Sequence, residues 1–567
     1  YGYFNNVSTP EMMIGRLPVN SLSDWEIYKN KLISYMDNKA GSWTNKVLFL
    51  ADDYIYVLSI EDTQHTLAVE DIAPVLHPSV QKEKIFAQDY PLNEFKKKPE
   101  VNTLFVEKMN QGTLFSVYMG HGDPVTVGDE NYLRIEDMSR FSNLKNMPVI
   151  FFGSCSSGRS DNPVTKSIAE HMVMNPNGGA IASIGAQRDS YTTGNVSVIS
   201  EVLKESVNNR KLIGESFMLS CQRTPSYNTY VYQLLGDPLL PAIPPEKISN
   251  VQLETDTVLA GQQYQARQTV NAEGNYNLVL NGEAELAVFD SEKSYHVVSA
   301  LADVNVKTDG KNLFKGKSSL INGEFNTSFI VPDDVIGGNK GKLLAYYYDA
   351  IAKKDYINYL TNIGFGGHNY YAENPDVPQI DLYLETRNFR DGDQVNQNPL
   401  LIADMSDSNG INILGSSGHE IVLLLDDSTT PLVVTQGFTY DLNSWTKGTL
   451  YWQLSNLEEG NHRIRIIAFD NFNRPSVKSI EFKVTKNSKI SLSNVLIYPN
   501  PVKKDAHFTF HITDDANVEI KVYTVTGRKI KEIKAGFCTK GYNQIYWDGK
   551  DNDGDKIANN TYFYKVI

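Results

Sequence analysis

The first 242 residues alternate short apolar runs with amphipathic stretches. The apolar runs are Lys46–Ala51, Thr113–Met119, Pro148–Phe152 and Gly179–Ile184. Runs that are apolar on both faces are typical of parallel strands covered by helices. Ser23-Asp-Trp-Glu26 has the spacing of a capping box and predicts a helix through Tyr28–Met36, and Asn195–Asn208 predicts another. The alternation predicts an open α/β sheet.

After Leu240-Pro-Ala-Ile-Pro-Pro245 the pattern changes to short alternating segments separated by Gly, Asn and Asp. This pattern predicts β-sandwiches. Examples are Asn275–Gly282, Lys342–Tyr348, Ile421–Leu425, His462–Phe469 and Val518–Thr524. With boundaries near 244, 376 and 488, the chain divides into an α/β domain (1–243), two β-sandwich domains (244–375 and 376–487) and a C-terminal β-domain (488–567).

Composition and charge narrow the class of protein. The chain has 567 residues and a net charge of −14, which argues against nucleic acid as its main ligand because phosphate binding needs clustered Lys and Arg. No apolar run approaches the length of a membrane-spanning helix. Three cysteines are too few for a disulfide scaffold. The chain opens at Tyr1 and closes within the strand-like run Thr561–Ile567, so we interpret it as a piece of a longer or processed protein.

Two predicted strands end in glycine-bordered turns that carry reactive side chains. Thr113–Met119 is followed by Gly120-His121-Gly122, and Pro148–Phe152 is followed by Gly153-Ser154-Cys155. Cys155 lies 34 residues after His121 in the sequence. Ligands gather at the carboxyl ends of strands in open α/β sheets. An imidazole beside a thiol can accept its proton and stabilise the nucleophilic thiolate. The pattern therefore predicts a Cys–His pair, with the backbone N–H groups of Gly122 and Cys155 as a candidate oxyanion hole.

Either motif alone more often has a plain structural explanation, an inert core thiol or a surface histidine. Together on consecutive strand ends they favour catalysis. Cys221, in a helix-like stretch, and Cys538, in a β-region without a neighbouring histidine, are interpreted as bystanders.

Other polar residues near the predicted strand ends are weaker candidates. Asp52 and Asp53 follow the first strand and can orient His121, bind a cation or cap the following turn. Asp123 can shape a substrate pocket or can simply be a solvent-exposed turn residue. Gln187 and Arg188 follow the next strand and can contact substrate.

The α/β region resembles the catalytic region of gingipain-type cysteine peptidases. The motifs that carry the resemblance are Gly15-Arg-Leu-Pro-Val19, Gly120-His-Gly122, Gly153-Ser-Cys155 and Leu235-Gly-Asp-Pro238, over about 240 residues. The resemblance implies a caspase-like α/β fold in which His121 is the general base and Cys155 the nucleophile.

The rest of the chain resembles components of type IX secretion in Bacteroidetes. Asp404–Ile413 and Gly418-His-Glu420 are similar to the domain that follows the catalytic unit in the type IX sortases. Tyr498-Pro-Asn-Pro501, Val522–Gly527 and Trp547-Asp-Gly549 resemble the immunoglobulin-like module of type IX C-terminal domains. This resemblance implies a sortase that removes the C-terminal sorting signal of secreted cargo through a thioester. The cargo then passes to an amine of surface lipopolysaccharide or to water.

The same resemblance implies the binding partners and the cellular location of the protein. The partners would be the C-terminal domains of cargo proteins, an anionic lipopolysaccharide acceptor and the outer-membrane β-barrel protein PorV in an attachment complex at the extracellular face of the outer membrane. The resemblance implies that no cofactor is required. Binding of a structural calcium ion is left as an alternative, without an identified site. Asp551-Asn-Asp-Gly-Asp555 starts like a calcium loop, but loop position 12 is Tyr562, so a hairpin turn is preferred. His419 is interpreted as a turn residue.

Two other functions stay open. The first is a secreted gingipain-like endopeptidase with broad targets, whose module from Val495 onward is a sorting signal. The second is a non-catalytic adhesin or scaffold, against which the presence of both His121 and Cys155 argues.

Overall fold

The computed structural model describes residues 10–38, 40–55, 60–61, 63–248, 251–268, 281–298, 303–368, 375–416, 418–426, 428–485, 492–512, 515–539 and 541–567. The predicted strand Asn275–Gly282 lies almost wholly outside these residues, as does the predicted boundary at 488. Within them, a mixed α/β unit precedes a long series of β-strands, as the sequence predicts. The caspase-like and immunoglobulin-like assignments and the exact boundaries stay predictions.

Seven α-helices lie in the described part of the first unit. They are α1 Leu22–Asp37, α2 Gln64–Ile72, α3 Pro99–Gln111, α4 Ile168–Met174, α5 Thr192–Leu203, α6 Ile213–Arg223 and α7 Tyr227–Val231. Short 3₁₀ turns cover Ser42–Asn45, Ala73–Val75, Ala87–Asp89 and Ile135–Arg140, a further one covers Thr435–Gly437, and a π-turn, Lys204–Asn208, extends α5. None of the helices in the described residues is long and apolar enough to cross a bilayer.

The strands of this unit are β1 Lys46–Ala51, β2 Tyr54–Ile55, β3 Ile60–Glu61, β4 Gln81–Phe86, β5 Phe115–Met119, β6 Thr126–Val127, β7 Leu133–Arg134, β8 Val149–Gly153, β9 Ala182–Ala186 and β10 Tyr232–Leu235. Six of them form one sheet in the order β10-β9-β8-β5-β1-β4. All neighbours are parallel except β10. Residues of α2 and α5 pack on one face of the sheet and residues of α3 and α4 on the other. The inner strands β1, β5, β8 and β9 are therefore buried on both faces, which explains their apolar runs.

Three element boundaries differ from the predicted ones. The cap of α1 is Ser21 rather than Ser23, because the Ser21 hydroxyl accepts the Asp24 N–H at 3.1 Å. The strand predicted over Gly179–Ile184 begins only at Ala182, since Gly179 has a φ of +78° that strand geometry does not allow. The predicted helix Asn195–Asn208 starts earlier, at Thr192, and ends as a π-turn.

The strands that follow pair into several sheets. They are β11 Glu246–Ile248, β12 Val251–Leu253, β13 Thr257–Ala260, β14 Gln263–Gln268, β15 Gly282–Phe289, β16 Lys293–Val297, β17 Val304–Thr308, β18 Asn312–Leu320, β19 Phe325–Ile330, β20 Gly338–Asp349, β21 Lys354–His368, β22 Gln379–Leu384, β23 Gln394–Val395, β24 Leu400–Ser406, β25 Val422–Leu425, β26 Leu432–Val433, β27 Phe438–Tyr440, β28 Lys447–Gln453, β29 Gly460–Phe469, β30 Pro475–Val484, β31 Leu492–Tyr498, β32 Ala506–Ile512, β33 Ala516–Thr524, β34 Lys529–Cys538, β35 Gly541–Trp547 and β36 Tyr562–Val566. The last six form two three-stranded sheets around a core of their own.

The strands from Glu246 to His368 form the first β-region, which docks on the edge of the α/β sheet. Hairpin β16–β17 contributes Val304 and Val306 to the core beneath α2. Lys84 of the edge strand β4 bonds the Lys307 carbonyl and Glu70, each at 2.6 Å. The hairpin thus covers an edge strand that would otherwise offer unpaired backbone groups.

The strands from Gln379 to Val484 form the second β-region, which shares a hydrophobic core with the first. The turn that carries His419 is present, with its N–H bonded to the Ser416 carbonyl, and the imidazole lies 3.2 Å from the Asp334 carboxylate across the junction. Phe314 also stacks on Tyr440 with ring centroids 5.0 Å apart. His419 therefore joins two β-regions.

Candidate active site

The predicted nucleophile and base lie at adjacent strand ends in the same register. Ala51 of β1 pairs with Met119 of β5, and Met119 pairs with Gly153 of β8. His121 and Cys155 each follow this row by two residues, and neighbouring strands lie about 4.8 Å apart. Both residues are half-buried. The sheet therefore brings the two turns together at its carboxyl edge, as the sequence predicts.

Gly120 has a structural reason to lack a side chain. A Cβ at this position would lie 2.4 Å from the Cβ of Asp52 and 2.2 Å from the Tyr118 hydroxyl. Its absence lets Asp52 approach the turn, where the carboxylate accepts the His121 N–H at 2.8 Å. The Tyr118 hydroxyl donates to the His121 carbonyl at 2.7 Å. The main chain of His121 is therefore fixed from both sides.

A second histidine, His65 at the start of α2, lies against His121. The two rings are perpendicular, with centroids 5.2 Å apart, and His65 is buried. One ligand atom each of Asp52, His65 and His121 lies within 4.8 Å of the others. No local motif marks His65 in the sequence, because it reaches the site through the loop after β1.

The turn that carries Cys155 is fixed to the segment after β9. The Ser190 N–H donates to the Cys155 sulfur at 3.4 Å, and the thiol lies 3.6 Å from the Ser190 carbonyl. Ser156, directly after the cysteine, has a φ of +52° and donates its N–H to the Arg188 carbonyl at 3.0 Å. Such left-handed geometry in a non-glycine residue clusters at functional turns.

The candidate oxyanion-hole donors are available. Across the described residues, neither the Gly122 N–H nor the Cys155 N–H donates a hydrogen bond to a protein acceptor. The two turns also touch, since a Cβ at position 122 would lie 3.0 Å from the Ser154 side chain. The oxyanion-hole assignment stays a prediction that this geometry permits.

The weaker pocket candidates make contacts within the protein. Asp123 is exposed, and its carboxylate accepts the N–H groups of Val125 and Thr126 in its own turn. Gln187 donates to the Gln233 side chain at 2.9 Å. Arg188 binds Asp161 at 2.5 Å, and hydrogen bonds from Arg159 and Arg188 lower the pKa of Asp161. Their role in substrate binding stays a prediction.

Beneath His121, Asp52 belongs to a buried polar cluster that sequence analysis did not find. The Tyr132 hydroxyl lies 3.0 Å from an oxygen of Asp52 and of Asp53, and the Lys98 ammonium lies 2.5 Å from Asp53. Burial raises the pKa of Asp53, while Lys98 lowers it. Burial and the charge of Asp52 raise the pKa of Glu130 to about 7. Lys98 and Tyr132 follow Asp53 by 45 and 79 residues, so the spacing of these residues in the sequence gives no sign of the cluster.

Glu130 is expected to make the stability of the α/β unit depend on pH. Its folded pKa is raised above the unfolded value of about 4.3, so folding favours the protonated form. Its contribution to stability is therefore lost as pH rises from about 4 through 7. Glu130→Gln should abolish this loss and stabilise the unit by about 3 kcal/mol at pH 8, with little change at pH 4.

Amide hydrogen exchange of β1 and β5, in buffer without divalent cations, measures the free energy of unfolding of the α/β unit. Asp129→Asn is the matched control, because Asp129 is the exposed neighbour of Glu130. An equal pH dependence in wild type and Glu130→Gln would contradict the prediction.

The remaining thiols do not compete with Cys155. All three cysteines are free. Cys221 is buried in α6, and burial raises its pKa to about 12. Burial also raises the pKa of Cys538. Both lack the environment of a reactive thiolate.

Two parts of the chain match known family models. Residues 1–243 match the model of peptidase family C25. Residues 496–548 match the secretion system C-terminal sorting domain. No curated protein sequence matches the chain.

Two solved structures illustrate the similarity. Dimeric latent PorU from Porphyromonas gingivalis is 24% identical with a TM-score of 0.30, over 69% of this chain and 39% of that one. The RgpB pro- and mature-domain complex from the same organism is 16% identical with a TM-score of 0.35, over 63% of this chain and 78% of that one. The chain thus spans well under half the length of the PorU chain.

Proposed function

We propose that the protein is a cell-surface sortase of the type IX secretion system, which removes the C-terminal sorting domain of secreted cargo. The observation that carries this proposal is the presence, in one chain, of a C25 peptidase domain and a C-terminal sorting domain. The first supplies peptide cleavage, and the second links the chain to the secretion system whose cargo carries such domains. The immunoglobulin-like nature of this module and the caspase-like fold of the peptidase belong to the same proposal.

The geometry supports a thioester mechanism. Cys155 Sγ attacks the carbonyl carbon of the peptide bond before the sorting domain, and His121 accepts the thiol proton. The N–H groups of Cys155 and Gly122 stabilise the oxyanion, while Asp52 and Tyr118 hold His121 in place. His121 then gives the proton to the departing amine, which leaves a thioester on Cys155. Water or an amine of an anionic lipopolysaccharide resolves this thioester and releases or anchors the cargo.

The proposal also includes the cellular location and a partner protein. The chain would act at the extracellular face of the outer membrane in an attachment complex with PorV. No cofactor takes part in this chemistry.

A second candidate, a secreted endopeptidase that is itself cargo, has one observation in its favour. The sorting-domain match covers residues 496–548, and the six strands from Leu492 onward pack around a core separate from the other clusters. A module with its own core can be removed without unfolding the rest. The fate of this module on the mature protein therefore separates the two candidates.

Cells that carry Cys155→Ala at the native locus test the sortase proposal. The expected result is that cargo accumulates with its sorting domain attached, while the corresponding Cys221→Ala cells process cargo normally. In both strains the 492–567 module should stay on the protein. Normal removal of the cargo domain in Cys155→Ala cells would refute the sortase function. Loss of extracellular proteolysis alone, with the 492–567 module removed in wild type, would establish the second candidate.

A further inference from the structure

Two arginines lie beside the turn that carries Cys155. Arg159 follows the cysteine by four residues, and its N–H donates to the Ser156 carbonyl at 3.0 Å, which closes a tight turn. The Arg188 carbonyl, in the segment after β9, accepts the Ser156 N–H at 3.0 Å. The ends of such a turn lie within about 7 Å of each other, so the Cα atoms of both arginines lie within about 11 Å of that of Cys155.

The Asp161 carboxylate holds the two guanidinium groups side by side. Its Oδ1 accepts the Nε–H of Arg159 at 2.9 Å, and its Oδ2 accepts an N–H of the Arg188 guanidinium at 2.5 Å. The Arg16 guanidinium, from a segment that bridges to β10, donates to the Ser160 hydroxyl within the same loop. The two guanidinium groups are therefore held in place by the protein before any ligand binds.

Most of the donors of Arg159 and Arg188 stay available. A guanidinium has five N–H donors. In the part of the chain that the structure describes, Arg159 commits one of them, to Asp161. Arg188 commits one to Asp161 and one to the Gln187 carbonyl. The two side chains are 46% and 53% exposed, so the remaining donors are accessible to a further acceptor from solvent.

The local charge favours an anionic acceptor. The segments Ser156–Asp161 and Gln187–Ser190, together with Arg16, contain three arginines and two aspartates. The positive charge is therefore in excess beside the thiol, although the chain as a whole has a net charge of −14. The planar fork of a guanidinium matches the two oxygens of a carboxylate, which makes a carboxylate the ligand that this pair of arginines suits.

The polypeptide that is cleaved can supply this carboxylate. Its scissile bond has to reach Cys155, and the bound chain extends by about 3.4 Å per residue. A distance of about 10 Å from the cysteine therefore corresponds to the second or third residue from the scissile bond. An acidic side chain at such a position lies within reach of both guanidinium groups.

We infer that Arg159 and Arg188 form a subsite for an acidic side chain of the cargo, about two or three residues from the bond that Cys155 attacks. The inference rests on the proposed function, because it assigns the subsite to the polypeptide that is cleaved. The substrate carboxylate accepts N–H groups of both guanidinium groups, on the side that Asp161 leaves open. The two arginines bind substrate and take no part in the chemical step. Arg16 is a positioning residue that acts through Ser160.

The test uses peptides that span the junction between a cargo protein and its sorting domain. The peptides differ only in carrying Glu or Gln at one of the three positions on either side of the scissile bond. At one position, wild type is expected to have an about 10-fold lower KM for the Glu peptide, with equal kcat. Arg159→Gln and Arg188→Gln should each remove most of this preference.

Arg223→Gln is the matched control. Arg223 lies in the same α/β unit, is 45% exposed and pairs with Glu201 and Glu205, so its loss removes an arginine of similar exposure away from Cys155. This variant should keep the preference for Glu. Equal KM values for Glu and Gln at every position in wild type would overturn the inference. An equal loss of activity toward Glu and Gln peptides in the Arg159 and Arg188 variants would also overturn it, because that result indicates a purely structural role.

Binding to the Cys155→Ala protein separates this inference from the proposed function. Fluorescence anisotropy of the same peptides, labelled at one end, should show about 10-fold tighter binding of the Glu peptide. Addition of Arg188→Gln should abolish the difference. Equal binding of Glu and Gln peptides would refute the subsite, whereas a lack of cleavage by wild type would contradict the proposed function alone. If the arginine substitutions changed only the reaction of the thioester with O-phosphoethanolamine, the anion would belong to the acceptor and the inference would be wrong.

Discussion

Replacing Cys155 with alanine is expected to lower kcat/KM for peptide cleavage by about 10⁴-fold or more. The substitution removes the sulfur that forms the thioester, and the remaining donors can only polarise a carbonyl for attack by water. Because the substitution leaves the β8–β9 connections in place, the protein should stay folded. The measurement is the hydrolysis rate of a peptide that spans the junction between a cargo protein and its sorting domain.

Cys221→Ala is the control for this experiment. It removes a thiol of the same unit that is buried and whose pKa is raised to about 12, so activity should change less than about 2-fold. The same pair of variants defines the thiol that iodoacetamide alkylates at pH 7, which should be Cys155. Substantial activity in Cys155→Ala, or its loss in Cys221→Ala, would remove Cys155 from the nucleophile's role.

His121→Ala is expected to lower kcat/KM by about 10³-fold, the second largest effect. His121 lies two residues beyond Met119, in the same register as Cys155 beyond Gly153. Without the imidazole, no group of that turn accepts the thiol proton or returns it to the leaving amine. The rate of iodoacetamide alkylation of Cys155 at pH 7 should fall together with the peptidase activity.

His296→Ala is the control for the loss of a histidine. His296 lies on hairpin β16–β17 of the first β-region, where its side chain is exposed and pairs with Asn305. Its removal should leave both activity and alkylation unchanged. If His121→Ala kept normal alkylation and cleavage, the base would have to be sought elsewhere, with His65 as the next residue to test.

The sequence predicts the parts of the fold that depend on local patterns. Continuous apolar runs identify β1, β5 and β8 because both faces of these strands are buried, and the turns that follow must then meet at one edge. This rule places His121 and Cys155 at the same edge of the sheet. The order of the strands and the pairing of Met119 with Gly153 come from the structure.

The residues that surround His121 and Cys155 could not be predicted from local sequence patterns. Ser190, His65 and Glu130 reach the site through long-range packing, and each lies in a segment without a distinctive motif. The exact start of a helix is also hard to predict where two nearby residues can cap it, since Ser21 rather than Ser23 caps α1. For Asp52, the sequence left three roles open. The structure shows that its carboxylate accepts the His121 N–H and so holds the main chain of that turn, and the three roles stay predictions.

The central claim is that Cys155 forms a thioester with cargo at the point where the sorting domain is removed. The most direct measurement mixes the purified protein with a secreted protein that ends in a type IX sorting domain. Acid then quenches the mixture within the first turnover, and the adduct is mapped by mass spectrometry. The expected result is that the cargo, without its sorting domain, is bound to the Cys155 sulfur. Cleaved cargo with Cys155 unmodified, and the same cleavage by the Cys155→Ala protein, would contradict it.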